Sequence, residues 1–311
     1  MSCPLCSGDT ESLGVYKCLD DSTASVMVCK NCLSLFRDPT PSAEQLDSYY
    51  ATRGYRPTKR LLRRRLRKTR GQARWITAVL PGLGLNEDSS ILDLGAGIGG
   101  LEYSLRKRGF SDVVSVEGRE AAIDFAGEVL GVNLRPGWVF DAHRYSESPQ
   151  LICISHVLEH VADPVEIVDY LKSAFPGSLL FIEVPDGSLD VHRAGRETVW
   201  NLWLEQHLWS YTPTGLSAML EANGLELLRL EQGTSYHGYG AVRRAELELA
   251  GDLLLAARHA SMSVRRTLPL LARMAFVGMP VQLYKRVVSR MPFYSKPDAP
   301  YFVRCVSRLP R

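Results

Sequence analysis

Two strings hold the side chains best suited to chemistry. In the first, His156-Val157-Leu158-Glu159-His160, two imidazoles bracket a carboxylate. On one helix that spacing would turn both histidines toward a zinc ion, with the glutamate as base, as in a metallopeptidase. The flanks exclude that arrangement. An apolar strand, Leu151 to Ser155, runs straight into the string, and Asp163-Pro164 then forms the N-cap and first position of a new helix. Only a short strand-to-helix loop is left, and at the carboxyl end of a parallel strand such a loop faces a ligand crevice. The second string is a pair of CxxC turns, Cys3-Pro-Leu-Cys6 and Cys29-Lys-Asn-Cys32. Each turn presents two thiolates, and two such turns complete a tetrahedral zinc site. This predicts a small zinc-stapled module, with Val26 to Val28 and Leu33 to Phe36 as strands beside the second turn. Cys18 is spare.

The elements that must position these groups alternate from Ser89 onward. Ile91 to Leu94, Val113 to Val116, Leu151 to Ser155 and Leu179 to Val184 are short, almost wholly apolar strands. Between them, Gly100 to Arg108, Arg119 to Leu130 and Pro164 to Phe175 have helical patterning, the first two stopped by glycines. Repeated strand–helix units with apolar strands predict an α/β fold: a mostly parallel sheet covered by helices on both faces. The first strand opens into Asp93-Leu-Gly95-Ala96-Gly97-Ile-Gly99-Gly100 and then a helix. Glycines there permit positive φ and close backbone approach to a ligand. Glu117 ends the next strand about 20 residues on, where a carboxylate accepts hydrogen bonds from a ribose diol. Together these predict a site for a nucleoside-bearing cofactor.

The acid two residues before the first glycine resembles motif I of the class I S-adenosylmethionine-dependent methyltransferases. The likeness continues through SVEG, ISHVLEHVADP and FIEVPD, and then through WLEQHLWSYTPTGLSAMLEANGLELLRLE. It implies a Rossmann-like, seven-stranded sheet. It also implies that Asp93, Gly95, Ala96 and Gly97 hold the amino-acid end of the cofactor and Glu117 the ribose. Asp141 is placed near the adenine, with Ser155 and His156 as further cofactor contacts at a strand end. Some O-methyltransferases that resemble the chain bind a divalent cation through E-x-x-E-H and a later histidine. Here His156 replaces the first glutamate, Glu159 and His160 match, and His207 is the candidate fourth ligand. Imidazole for carboxylate removes a negative charge and favours a softer metal than Mg²⁺. Without a metal, His207 oriented by Glu205, or His160 or His156, is the candidate general base for an acceptor hydroxyl. Trp200, Trp203, Trp209 and Tyr211 are candidate aromatic walls for a sugar or a sulfonium ion. A cysteine module ahead of such a core also resembles deoxysugar C-methyltransferases, but Gln206 separates Glu205 from His207 where they have a Glu-His pair.

The expected reaction is therefore methyl transfer to a hydroxyl of a sugar, glycan or secondary metabolite. An RNA 2′-O-methyltransferase and a deoxysugar C-methyltransferase are the alternatives. Arg53 to Arg74 is basic without an acid, which suits a phosphate-bearing acceptor, a nucleic acid or a solvated face. Net charge over 311 residues is only +3, so the chain as a whole is not an obvious polyanion binder. No apolar run reaches the ~20 residues of a membrane span, and paired cysteines suit a reducing, cytoplasmic setting. The expected organisation is a zinc module over 1–40, a basic helical linker over 41–85, the catalytic core over 86–245 and a helical basic tail over 246–311. The tail would pack on the core or touch a membrane surface or a second protomer.

Overall fold

The computed structural model describes residues 1–17, 23–42, 44–46, 48, 57–188, 207–234 and 300–310. Contacts divide the chain into Met1–Gly233 with Pro300–Arg311, and Thr234–Ala299. The first of these units holds the site. The strands are β1 (Thr10–Lys17), β2 (Thr23–Cys29), β3 (Leu35–Asp38), β4 (Ile91–Leu94), β5 (Val113–Glu117), β6 (Arg135–Pro136), β7 (Leu151–Ser155), β8 (Leu179–Pro185), β9 (Trp209–Ser210), β10 (Glu226–Thr234) and β11 (Pro300–Arg308). The helices are α1 (Lys59–Val79), α2 (Gly100–Arg106), α3 (Glu120–Leu130), α4 (Pro164–Ala174) and α5 (Pro213–Ala222).

The main sheet has seven strands in the order β10-β11-β8-β7-β4-β5-β6. Strands β8, β7, β4, β5 and β6 are parallel, and β11 is antiparallel to β8. Parallel strands need crossovers, supplied by α2, α3 and α4, and their apolar runs are buried on both faces. Leu92, Leu94, Ile152, Ile154, Leu180 and Ile182 pack on one face with Ile167 and Leu171 of α4 and Met219 of α5. Ile91, Leu151, Cys153 and Phe181 pack on the other with Leu101 and Leu105 of α2. The predicted α/β architecture with helices on both faces is therefore present.

The expected boundaries differ from the structure in three places. Helix α1 is no linker, because Ala73, Ile76 and Val79 join the second of these apolar clusters. The cysteine module does not close on itself: its antiparallel sheet runs β1-β2-β3-β9, and the last strand comes from beyond the main sheet's strands β4 to β8. The end of the chain is not helical, since Pro300–Arg308 forms β11 beside β8. The expected helical tail before it lies outside the described residues, as do Cys18, Trp200, Trp203, Glu205 and Gln206. Among the described residues no helix is long and apolar enough to cross a membrane.

Candidate functional site

The carboxyl edges of β4, β5 and β7 converge on the glycine turn. Gly95, Gly97 and Gly99 all have positive φ, of 73°, 59° and 71°. A Cβ on Gly95 would lie 2.4 Å from Val157, so the turn abuts the HVLEH loop directly. A Cβ on Gly97 would meet nothing within 4 Å, which leaves open space above its backbone. Glu117 is buried at the end of β5. Its Oε2 accepts the Gly97 N–H at 2.7 Å, and its Oε1 accepts from the Arg119 backbone and Nε. Asp141 caps a 3₁₀ turn, accepting the Trp138 N–H at 2.9 Å and an Arg144 N–H at 3.1 Å.

Asp93 is buried in β4, and its Oδ2 has no hydrogen-bond partner. Burial, then the charges of Glu102 and Glu117, push its carboxyl up to about 8. The folded chain thus keeps this proton up to about pH 8, whereas the unfolded chain loses it near 3.8. The stabilisation is full below the unfolded value and disappears as pH rises through the folded one. Stability of the cofactor-free protein should fall between pH 5 and 8, by at most about 1.4 kcal/mol per pH unit for one proton. Urea midpoints across that range read the slope, and Asp93→Asn should flatten it. An unchanged slope in the variant would contradict the assignment.

The second half of the site is the loop after β7. His156 adopts a left-handed φ of 55°, uncommon for a residue with a side chain and kept only where surroundings impose it. Here the imposition is threefold. Its backbone N–H donates to Glu183 O at 2.8 Å, its Nδ1 meets Glu159 Oε1 at 3.0 Å, and its Nε2 meets Glu183 Oε1 at 3.3 Å. Both ring nitrogens of His156 therefore face carboxylates of its own loop and of β8. Among the described residues the cluster with metal-ligand spacing near this loop is Glu159, His160 and His207, and His156 is not one of its members.

Glu159, His160 and His207 do come together. One ligand atom from each lies within 4.8 Å of the others, and the His160 and His207 rings stand edge to face at 4.6 Å. Glu159 is fully buried, and its Oε2 has no hydrogen-bond partner. Burial alone would raise its pKa, but the charge and hydrogen bond of His156, with the charges of His160 and His207, hold it below the usual carboxylate range.

The cysteine module aligns His207 with this loop. Leu208, Trp209 and Tyr211 donate to the carbonyls of Glu159, Val161 and Leu158 at 2.7, 2.8 and 3.1 Å. On its other side the same segment pairs with β3 (Leu35↔Ser210, Phe36↔Trp209). Thr212 caps α5, donates from its hydroxyl to Cys32 O, and donates its backbone N–H to Ser34 Oγ at 3.1 Å. Trp209 and Tyr211 are buried, with Trp209 stacked on both Phe36 and Tyr211, so they are core rather than the aromatic walls expected of them.

The four cysteines lie on two matching turns, in which Ser7 and Leu33 follow each pair at a φ of 58°. Cys3 and Cys32 Sγ are 3.9 Å apart, and Cys6 and Cys29 Sγ 3.4 Å. A tetrahedral zinc with Zn–S of about 2.3 Å separates its sulfurs by about 3.8 Å. The Asn31 and Cys32 N–H groups donate to Cys29 Sγ. The donor set and its spacing fit zinc.

One network goes beyond the residues singled out from sequence. Gln72 of α1 donates to Ser155 Oγ and, at 2.7 Å, to Glu183 Oε1, while Lys68 and Arg304 lie 4.0 and 3.9 Å from the Glu183 carboxylate. It ties α1, β7, β8 and β11 together beneath the loop. A lone acid in the apolar run LLFIEVP is the signal that marks Glu183, since a buried carboxylate requires partners.

A parallel α/β sheet with a glycine turn and a strand-end acid at its carboxyl edge defines a nucleoside-cofactor enzyme. A family profile described as a methyltransferase domain matches residues 60–230, more than half of the chain. The chain belongs to this methyltransferase family, and it is an S-adenosylmethionine-dependent methyltransferase. The match begins within α1, consistent with that helix belonging to the core. No curated protein matches the chain. Among solved structures it is similar to an S-adenosylmethionine-dependent methyltransferase from Archaeoglobus fulgidus, at 14% identity over 78% of this chain and 94% of that one, with a TM-score of 0.45. It is also similar to the plantazolicin methyltransferase BpumL bound to a triazolic desmethylPZN analogue and SAH, at 15% identity over 86% and 95% of the two chains, with a TM-score of 0.48. At these scores the likenesses assign no acceptor to this chain.

Proposed function

We propose that the enzyme methylates a hydroxyl of a sugar, glycan or secondary metabolite, with Glu159, His160 and His207 as the proton-handling group. The observation that carries this reading is their convergence on one point beside the glycine turn. In this reading Gly95, Ala96 and Gly97 supply the floor for the methionine end of S-adenosylmethionine, with Asp93 behind them. Glu117 accepts the ribose hydroxyls. A carboxylate offers about four acceptor positions, and three are taken by Gly97 and Arg119. The Arg119 side chain, 34% exposed, is the donor that the diol would replace. The acceptor oxygen attacks the sulfonium methyl carbon, the C–S bond breaks with its electron pair returning to sulfur, and the hydroxyl proton passes to an imidazole of His207 or His160. Buried anionic Glu159 stabilises the imidazolium so formed.

A second reading has its own support. The orphaned Oε2 of Glu159 and the two imidazoles form a donor set suited to a divalent ion. Such an ion would supply Lewis-acid activation of the hydroxyl. Zinc at Cys3, Cys6, Cys29 and Cys32 would be structural, holding β3 against β9 and hence His207 in place. Transfer of labelled methyl from S-adenosylmethionine to a panel of hydroxylated acceptors tests the main reading. Labelled product with a hydroxyl acceptor, none with its O-blocked analogue, supports it; transfer only to carbon or nitrogen contradicts it. A chelator that leaves the cysteine zinc in place separates the readings: unchanged turnover removes the second ion.

A further inference from the structure

The arginines of α1 form a pattern that the methyl-transfer site does not use. Arg60, Arg63, Arg67, Arg70 and Arg74 recur at intervals of three and four, so they lie in one line along one face of the helix. All five are exposed, and Lys59 and Arg65 beside them are exposed as well. Apart from Ala78, every exposed residue of α1 whose side chain is described is a cation. The line runs for about 21 Å at 1.5 Å per residue. Other faces of the same helix are committed: Leu62, Ala73 and Ile76 to the core, and Lys68 and Gln72 to Glu183.

This arrangement works against the helix itself. Like charges at i,i+3 and i,i+4 destabilise it by about 0.2–0.5 kcal/mol per pair, and four successive pairs of the line are of this kind. Lys59 and Arg60 also stand in the first turn, which holds no acid, against the positive end of the helix dipole. An ordinary solvated face intersperses glutamates, which relieve both effects. Among the described residues none of the five arginines has an ion-pair partner.

We infer that this arginine line is a docking surface for the phosphodiester backbone of a nucleic acid strand, lying beside the methyl-transfer crevice rather than in it. Guanidinium groups bind phosphate oxygens in a bidentate manner, and a line of regularly spaced ones matches a repeating polyanion. A protein partner would require aromatic or apolar anchors at the centre of the patch, and a membrane surface apolar side chains to insert. The exposed part of α1 has neither. The inference goes beyond the proposed acceptor chemistry and does not depend on it.

The test uses the full chain and a fluorescent, mixed-sequence single-stranded RNA of roughly twenty nucleotides, long enough to follow the line at the phosphate spacing of a strand. Anisotropy titrations should show affinity falling with salt at a log–log slope of about −3.5, from about −0.7 per phosphate over five contacts. The variant Arg63→Gln/Arg67→Gln/Arg70→Gln should lose about 2 from that slope and bind at least tenfold more weakly at low salt. Its affinity for S-adenosylhomocysteine should be unchanged and its thermal midpoint no lower, since glutamine keeps the helix and removes repulsion. Equal RNA binding by both proteins, or none by either, overturns the inference. So does a preference of the intact chain for phosphatidylserine vesicles over RNA, which would assign the line to a membrane surface.

Discussion

His207→Ala is expected to lower single-turnover methyl transfer by a factor of about 10²–10⁴, the usual contribution of a positioned acid–base group, while S-adenosylhomocysteine binds within about twofold of the intact chain. The split follows from geometry. His207 lies against His160 and Glu159, the group proposed to meet the acceptor, whereas the glycine turn and Glu117, which bond to each other, are the proposed cofactor side. Glu159→Gln should produce a similar loss, because it keeps the volume and the Leu208 backbone bond to Glu159 O but removes the buried charge. Added imidazole should restore part of the activity of His207→Ala and none of that of Glu159→Gln, a difference that a merely structural role for His207 does not predict. A loss of cofactor affinity equal to the loss of rate would mean that the variant has disturbed the fold rather than the proton path.

The parts of this architecture visible in the chain are those written as local patterns. The glycine turn with Glu117 after the next strand, the two CxxC turns and the Asp163-Pro164 cap each lie within a few residues or one strand–helix unit. Their physics is the local physics of turns, caps and strands. What escapes is contact at a distance. The family resemblance groups His207 with His160, but what carries it across the 46 intervening positions is β9, pinned between β3 and the HVLEH loop, and no periodicity announces a two-residue strand. Gln72 is hidden in a helix whose charge dominates its appearance, yet its inward face carries the bond that holds Ser155 and Glu183. The segment YFVRCVSR is rich in β-branched and aromatic residues, as befits β11. Taken together with the long basic stretch before it, that signal is averaged away. His156 is legible as chemistry but not as to its role, because only the fold brings Glu183 to its second nitrogen.

The second large effect concerns Glu117. Its carboxylate is buried at the end of β5 and tied to the Gly97 N–H, so it holds the turn, and in the proposed reading it also accepts from the ribose. Hydrogen bonds to a charged group contribute about 1.5–3 kcal/mol each, so losing one or two such bonds weakens binding by at least tenfold and by about a hundredfold or more if both are lost. Glu117→Gln, which keeps an acceptor but not the charge, should fall between the alanine variant and the intact protein. Asp93→Asn should affect pH dependence more than affinity, which separates the two acids of the crevice. The most direct measurement is calorimetric titration of S-adenosylhomocysteine into the intact chain and into Glu117→Ala. A single saturable site in the first, with affinity at least tenfold weaker in the second, is the predicted result. No heat of binding in the intact chain, or equal affinity in both, contradicts a cofactor crevice at this sheet edge.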